Sequence, residues 1–206
     1  MKKMKFSLIG LVLLTCACAM LQPKPVVSVY YRSDITTQSS KVIVFPLLSF
    51  EGKKTEGTKN VELGILNQWA EIAGKANIIP AGPALEQLPS ATMLTFIKSI
   101  DTASSVEQLS QNPKIKEAIG MITSKLGNYN LALAIIDGGE KEFAAGSEVR
   151  LHIGLFDSQN MTWKWITKAV TRKGKLSRWE VASTTLVQDS FKEIKKAMSA
   201  ETAKSK

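Results

Sequence analysis

The sequence predicts an α/β (α+β) domain: a single mixed β-sheet of about four to five strands with helices packed on it. Three observations predict it: apolar runs of strand length at 42–50 and 129–136, two alternating segments at 149–156 and 161–171, and helical apolar stripes around them. The order reads β-α-β-α-α-β-β-β-α.

Val42 to Phe50 is a β-rich apolar run whose Pro46 belongs near a strand end or edge, and the polar, Gly-containing stretch from Glu51 to Thr58 follows as a loop. Val61, Ile65, Trp69 and Ile72, with Leu66, Ala70 and Ala73, repeat at the helical period, and Gly74 marks the stop. Asn77 to Pro80 makes a short strand, closed by a Gly82-Pro83 turn. Pro89 to Ile100 and Pro113 to Leu126 read as helices, the second with Asn112 as cap, Gly127 as stop and a stripe of Ile115, Ala118, Ile119, Ile122 and Leu126.

Tyr129 to Ile136 is apolar on both alternating faces, the pattern of a central strand covered on both sides. Gly138-Gly139 with Glu140, Lys141 and Glu142 reads as a strand-to-strand turn. Val149, Leu151, Ile153 and Leu155 then form a buried face against a mixed one, Asp157-Ser158-Gln159-Asn160 turns the chain, and Met161 to Thr171 returns as the second arm of a hairpin. In that arm Trp163, Trp165 and Ala169 alternate with Lys164, Ile166, Lys168 and Val170. Ser177 and Glu180 have capping-box spacing before a last helix with Leu186, Val187, Phe191, Ile194 and Met198 inward, and Glu201 to Lys206 is expected to fray.

A chain of 206 residues with 44% hydrophobic and 22% charged residues has the composition of an ordinary globular protein and can bury a core without disulfides or metals. Its net charge is +9; without Lys2, Lys3 and Lys5 the balance is 24 against 18, or +6. Both cysteines, Cys16 and Cys18, precede the domain, which therefore has no thiol for a disulfide.

Met1 to Lys5 is basic, Phe6 to Leu14 is a nine-residue apolar run, and Thr15-Cys16-Ala17-Cys18 follows, the layout of a secretory signal. At 1.5 Å per residue the run covers about 14 Å of a hydrocarbon core about 30 Å thick, so it does not span a bilayer. Leu14 to Cys18 resembles the lipobox of bacterial lipoproteins, which implies a lipid on Cys18. Thr15 stands where that family prefers Leu, Val or Ile; Cys16 as the modified residue restores Leu13 there, and cleavage by an ordinary signal peptidase at Ala17-Cys18-Ala19 is a third reading. The domains are then 1–17, a removed signal peptide; 18–40, a lipid-anchored tether marked by Pro23, Pro25 and a polar run, in which 26–31 has the makings of a short edge strand; 41–200, one α/β domain; and 201–206, a frayed tail. Ala19 resembles the outer-membrane sorting class.

Lys41 to Pro46, Ala76 to Pro80, Ile119 to Leu126 leading into Asn128 to Leu133, and the hairpin from Leu155 to Trp163 carry a wider resemblance. Over about residues 41 to 198 the chain is similar to a superfamily of small envelope domains that includes the curli-secretion lipoprotein, lipoprotein activators of penicillin-binding proteins and the amino-terminal domain of TolB. These motifs bear fold rather than catalysis, and the chain lacks the paired amphipathic insertions of pore-forming relatives. The resemblance implies an accessory role by contact with another envelope component.

No GxSxG, HExxH or GxxxxGK[ST] motif occurs, and the single histidine, His152, reads as a half-exposed strand residue rather than a catalytic base. No enzyme activity and no cofactor or metal is expected. The one concentrated feature is basic: Lys164, Lys168, Arg172, Lys173, Lys175 and Arg178, interleaved with Trp163, Trp165 and Trp179. Such lysines protect the open side of an edge hairpin from sheet-to-sheet aggregation. They also suit an anionic envelope surface, a lipid headgroup or a partner protein. Nucleic acid is excluded as a partner by export. The expectation is a noncatalytic lipid-anchored envelope protein, facing the periplasm from the outer membrane, that binds an envelope protein or the cell wall. The alternatives are an auxiliary lipoprotein of a lipid or solute transport system and an envelope hydrolase.

Overall fold

The strand Asn130–Asp137 has six consecutive apolar residues from Leu131 to Ile136 because it has no solvent side. Strands flank it left and right, and both of its faces are buried. In the computed structural model, residues 24–31, 41–49, 55–81, 113, 116–117, 120–121, 124, 127, 129–174 and 177–204 are described. The signal, Cys18, the Gly82-Pro83 turn, the helix expected at 89–100 and Lys175 lie outside them.

Among the described residues the elements are β1 (Val26–Tyr31), β2 (Val42–Val44), β3 (Leu48–Ser49), α1 (Glu56–Ala73), a 3₁₀ turn (Lys75–Asn77), β4 (Ile78–Pro80), β5 (Asn130–Asp137), α2 (Glu140–Ala144), β6 (Val149–Asp157), β7 (Thr162–Thr171) and α3 (Trp179–Lys204). Residues 113, 116, 117, 120, 121 and 124 are helical, and Gly127 follows at φ +86°, in keeping with the helix and stop read there. One sheet runs β1-β7-β6-β5-β2-β4, with β3 pairing β5 beyond the end of β2. Pairings of β2 with β4 and β5, and of β3 with β5, are parallel; those among β5, β6, β7 and β1 are antiparallel. The fold is α+β with a mixed sheet, and its seven strands exceed the four to five expected.

The two extra strands have simple causes. The apolar run at 42–50 is split where Pro46, which has no N–H to donate to the ladder, interrupts it. Val26–Tyr31, within the segment assigned to a tether, is the edge strand admitted there: its β-branched residues pair with β7 in continuous register from Val26↔Val170 to Tyr31↔Trp165. Consequently β7 is an interior strand, and the hairpin is not the sheet edge.

Thr55 and Thr58 cap α1 reciprocally, Thr58 N–H donating to Thr55 Oγ1 at 3.2 Å and Thr55 N–H to Thr58 Oγ1 at 2.8 Å. The helix buries Val61, Ile65, Trp69 and Ala73 and stops at Gly74, φ +83°, as its stripe requires. α3 lies parallel beside it: Trp179 sits over Gly57, Val187 over Gly64, and Lys195 Nζ donates to Glu71 at 2.6 Å and to Gln68 at 3.0 Å. The capping box expected at Ser177 and Glu180 is replaced by a tighter turn, in which Ser177 Oγ accepts from Gly174 N–H and the Arg178 carbonyl takes the first helical bond from Ala182. α3 runs on to Lys204, past Glu201 where fraying was expected.

Helices α1 and α3 cover one face of the sheet, burying Val42, Val44, Ala132, Ala134, Leu151, Ile153 and Leu155. Trp69 of α1 stacks on Trp165 of β7 at 5.5 Å and 15°, and Phe191 of α3 meets Trp69 edge-on at 5.6 Å. The opposite face carries Ile43, Phe45, Leu131, Leu133, Ile135 and Ile166, also buried. His152 lies on that opposite face with 6% exposure, so it is a buried residue and not the half-exposed one expected. That face of β6 is covered and not open, since Gly154 and Phe156 beside His152 are buried as well.

Candidate functional site

The hairpin β6–β7 was expected to gather the basic residues, and its geometry separates them. Pairing runs Val149↔Thr171 to Leu155↔Trp165, then steps to Phe156↔Trp163, so β7 carries one extra residue, Lys164, in a β-bulge. The bulge puts Trp165 on the helix-covered face and Trp163 on the other, where its ring lies over Gly154 and edge-on to Phe156 at 5.2 Å. Trp163 and Trp165, read as neighbours on one face, are therefore on opposite faces.

Lys164 sits near the turn end of the hairpin, its side chain only 14% exposed and its Nζ 3.8 Å from Asp157 Oδ2. Asp157 also accepts Gln159 N–H at 3.0 Å, Asn160 N–H at 3.1 Å and Asn160 Nδ2 at 2.9 Å. Burial pushes the Asp157 carboxyl up, but the bonds from Asn160, the charge of Lys164 and the Gln159 amide outweigh it and hold it below the ordinary range. Lys168 is mid-strand and half-buried, opposite His152 on one side and Ser28 of β1 on the other.

Arg172 and Lys173 lie at the other, open end. Eight residues of strand, about 27 Å, separate Arg172 from Lys164, so the basic residues do not form one patch. Arg172 Nε donates to Glu148 Oε1 at 2.7 Å; Arg150 reaches Glu148 at 3.5 Å and Asp137 at 3.6 Å. The bond from Arg172, against slight desolvation and helped by the charges of Arg172 and Arg150, holds the Glu148 carboxyl low. Lys173 Nζ donates to the Ala144 carbonyl of α2, and Arg178 is exposed at the start of α3.

That start is fixed to the same end by Trp179, whose Nε1 donates to the Gly138 carbonyl at 2.9 Å. Gly138 has φ +90° and lies so close to the Glu148 carbonyl that a Cβ would fall 2.3 Å from it. The residues after it form α2 rather than the expected turn, with Glu140 and Glu142 in the first turn and Phe143 buried as its anchor.

Glu148, Asp137 and Asp157 were missed as partners of the basic residues. The signal for Glu148 was available: it precedes β6, Arg172 follows β7, and a hairpin centred on 158–161 makes such residues cross-strand neighbours. Among the described residues no group of three or more His, Cys, Asp or Glu could hold a metal ion, and no helix is long and apolar enough to cross a membrane.

No family model and no curated protein matches the chain. Among solved structures, the chain is similar to the PelC dodecamer from Paraburkholderia phytofirmans, with 11% identity and a TM-score of 0.44 over 82% of this chain and 96% of that one. A methionine-for-leucine variant of the same dodecamer gives 11% identity and 0.47 over 82% and 97%. Lipoprotein GNA1162 from Neisseria meningitidis gives 17% identity and 0.36 over 76% and 99%. No residue role passes through likenesses of this size.

Proposed function

We propose that this chain is a lipid-anchored protein of the bacterial envelope that acts without catalysis, as an accessory or binding component of an envelope complex. The observation that carries the reading is the basic segment, short apolar run and small residues that end at Cys18. Each methylene of the acyl chains contributes about 0.8 kcal/mol to membrane partition, so more than one chain makes residence effectively permanent. The mature protein then faces the periplasm from the outer membrane and meets an envelope protein or the cell wall. The basic residues favour a partner that bonds to discrete side chains, since carboxylates of the same fold already engage Arg150, Lys164 and Arg172.

Mass spectrometry of the mature amino terminus tests the anchor: an acylated Cys18 is expected, and Cys18→Ala should move the protein from the membrane to the soluble fraction. An unmodified terminus at Ala19 or Met20 would refute it. Crosslinking in cells from Gln159 or Asn160, exposed in the hairpin turn, should recover one discrete envelope component, and recovery of none would refute the accessory role.

A further inference from the structure

We infer that the domain turns one particular end toward the bilayer: the end of the sheet where β1 begins, with Lys24 and Arg178 facing the anionic phosphates of the lipid headgroups. The inference rests on acylation of Cys18, as proposed above, and adds an orientation to it.

The argument is one of lengths and register. Val26, the first residue of β1, comes eight residues after Cys18. An extended backbone spans at most about 3.3–3.6 Å per residue, so Val26 lies within about 29 Å of the acylated cysteine. Val26 pairs with Val170, Val170 with Arg150 and Arg150 with Asp137, which makes one row across four strands. Arg172 and Lys173 lie just beyond that row, and the bond from Trp179 to Gly138 holds Arg178 and the start of α3 at the same end.

The 158–161 turn is at the other end. From Val170 to Thr162 the strand covers about 27 Å, with the turn beyond it. The link from anchor to sheet is thus about as long as the sheet itself. For the turn to meet the bilayer, that link would have to lie fully drawn out along the sheet edge, surrendering all its conformational freedom. With the β1 end down, no such extension is needed.

Both ends of the sheet offer cations to phosphate, and only the β1 end is brought to the bilayer by the link. At the β1 end Lys24 and Arg178 are exposed and without an ion pair among the described residues, and Arg172 keeps 79% of its side chain in solvent. The planar fork of an arginine matches phosphate oxygens in pairs. At the turn end Lys164 is drawn down to Asp157, but Lys41 before β2 and Lys75 before β4 are exposed there, so the length of the link and not charge chooses between the ends. Asp137 and Glu148 offset Arg150 and Arg172, and Glu140, Glu142 and Glu180 are exposed at the same end, so the contact with phosphate accompanies an orientation set by the link and does not replace the anchor.

The experiment uses the full-length, acylated protein in vesicles of anionic phospholipid with a nitroxide on the headgroup. Both natural cysteines precede the domain, so a fluorophore can be placed through Arg178→Cys or Asn160→Cys, with Lys141→Cys and Gln159→Cys as a second pair. Quenching at 178 and 141 is expected to exceed that at 160 and 159 by about threefold or more, and inserting about twenty Gly/Ser residues between Cys18 and Lys24 should remove the difference. Equal quenching with the native linker, or stronger quenching at 160 and 159, overturns the orientation. Protein that fails to float with the vesicles overturns the anchor, and the orientation with it; protein that floats but quenches equally overturns the orientation alone.

Discussion

The two ends of the β6–β7 hairpin carry the same ingredients, a basic residue beside a carboxylate, yet handle them in opposite ways. At the turn end a bulge draws Lys164 down to an Asp157 already tied by three hydrogen bonds, leaving 14% of the lysine exposed. At the open end Arg172 holds Glu148 at 2.7 Å while remaining 79% exposed. The first pair is part of the turn's architecture and the second decorates its surface. A run of basic residues in a sequence is therefore no measure of the positive surface a fold presents, because cross-strand neighbours settle how much of each charge reaches solvent.

Both ends depend on the packed middle of the hairpin, so the largest effect is expected there. Trp165→Ala removes the ring stacked on Trp69 and should cost about 3–5 kcal/mol in urea unfolding. A cost under about 1 kcal/mol would mean that the ends are held independently of this core.

Next come the two glycines that let each end close. Gly138→Ala sets a side chain at φ +90° and 2.3 Å from a carbonyl, and Gly154→Ala sets one 2.4 Å from the Trp163 ring. Each should cost about 1–3 kcal/mol, the first through backbone strain and the second through overpacking. Gly138 should prove the more sensitive, since backbone yields less than a ring. Equal or reversed costs would show that the open end is the softer one.

The ends should also differ in acid. A carboxyl held low in the folded state contributes stability that is complete above its unfolded pKa, about 3.9 for Asp, and lost as pH falls through its folded value. Asp157→Asn should therefore lower the unfolding free energy by about 1–2 kcal/mol at pH 6, and by progressively less below about pH 4 as the wild-type carboxyl protonates. A gap that stays constant down to pH 2 would remove the low carboxyl from the account. Arg172→Ala should give the smallest effect, a shift in melting temperature within measurement error in 0.5 M salt, because an exposed pair is screened there. A large, salt-independent loss would make the open end as structural as the turn.

The parts of the fold legible in the sequence are those that a local period records. The stripe of Val61, Ile65 and Trp69, the stop at Gly74, and the doubly apolar strand from Leu131 to Ile136 are all present as read. What escaped depends on pairing at a distance. Val26–Tyr31 is six residues between polar flanks, and nothing local says that β7 needs a neighbour. Once β1 takes that place, Lys168 moves from an edge strand to an interior one. The bulge at Lys164 is equally silent: Trp163 and Trp165 have the same parity, and only the step in register separates their faces. For the charged residues, the sequence displayed the cations in a cluster but not Glu148 or Asp157, which had to be brought to them by the hairpin.

The pairing of β1 also has a mechanical side. Its hydrogen bonds to β7 run across the strand direction, from Val26↔Val170 to Tyr31↔Trp165. A pull on the amino-terminal side along the strand axis loads this whole ladder in shear, so the bonds share the force instead of parting one at a time. A pull across the axis would instead peel the strand from Val26 onward. Tension that reaches the domain through its amino-terminal segment thus meets its stiffest response along β1 and its most compliant one perpendicular to it.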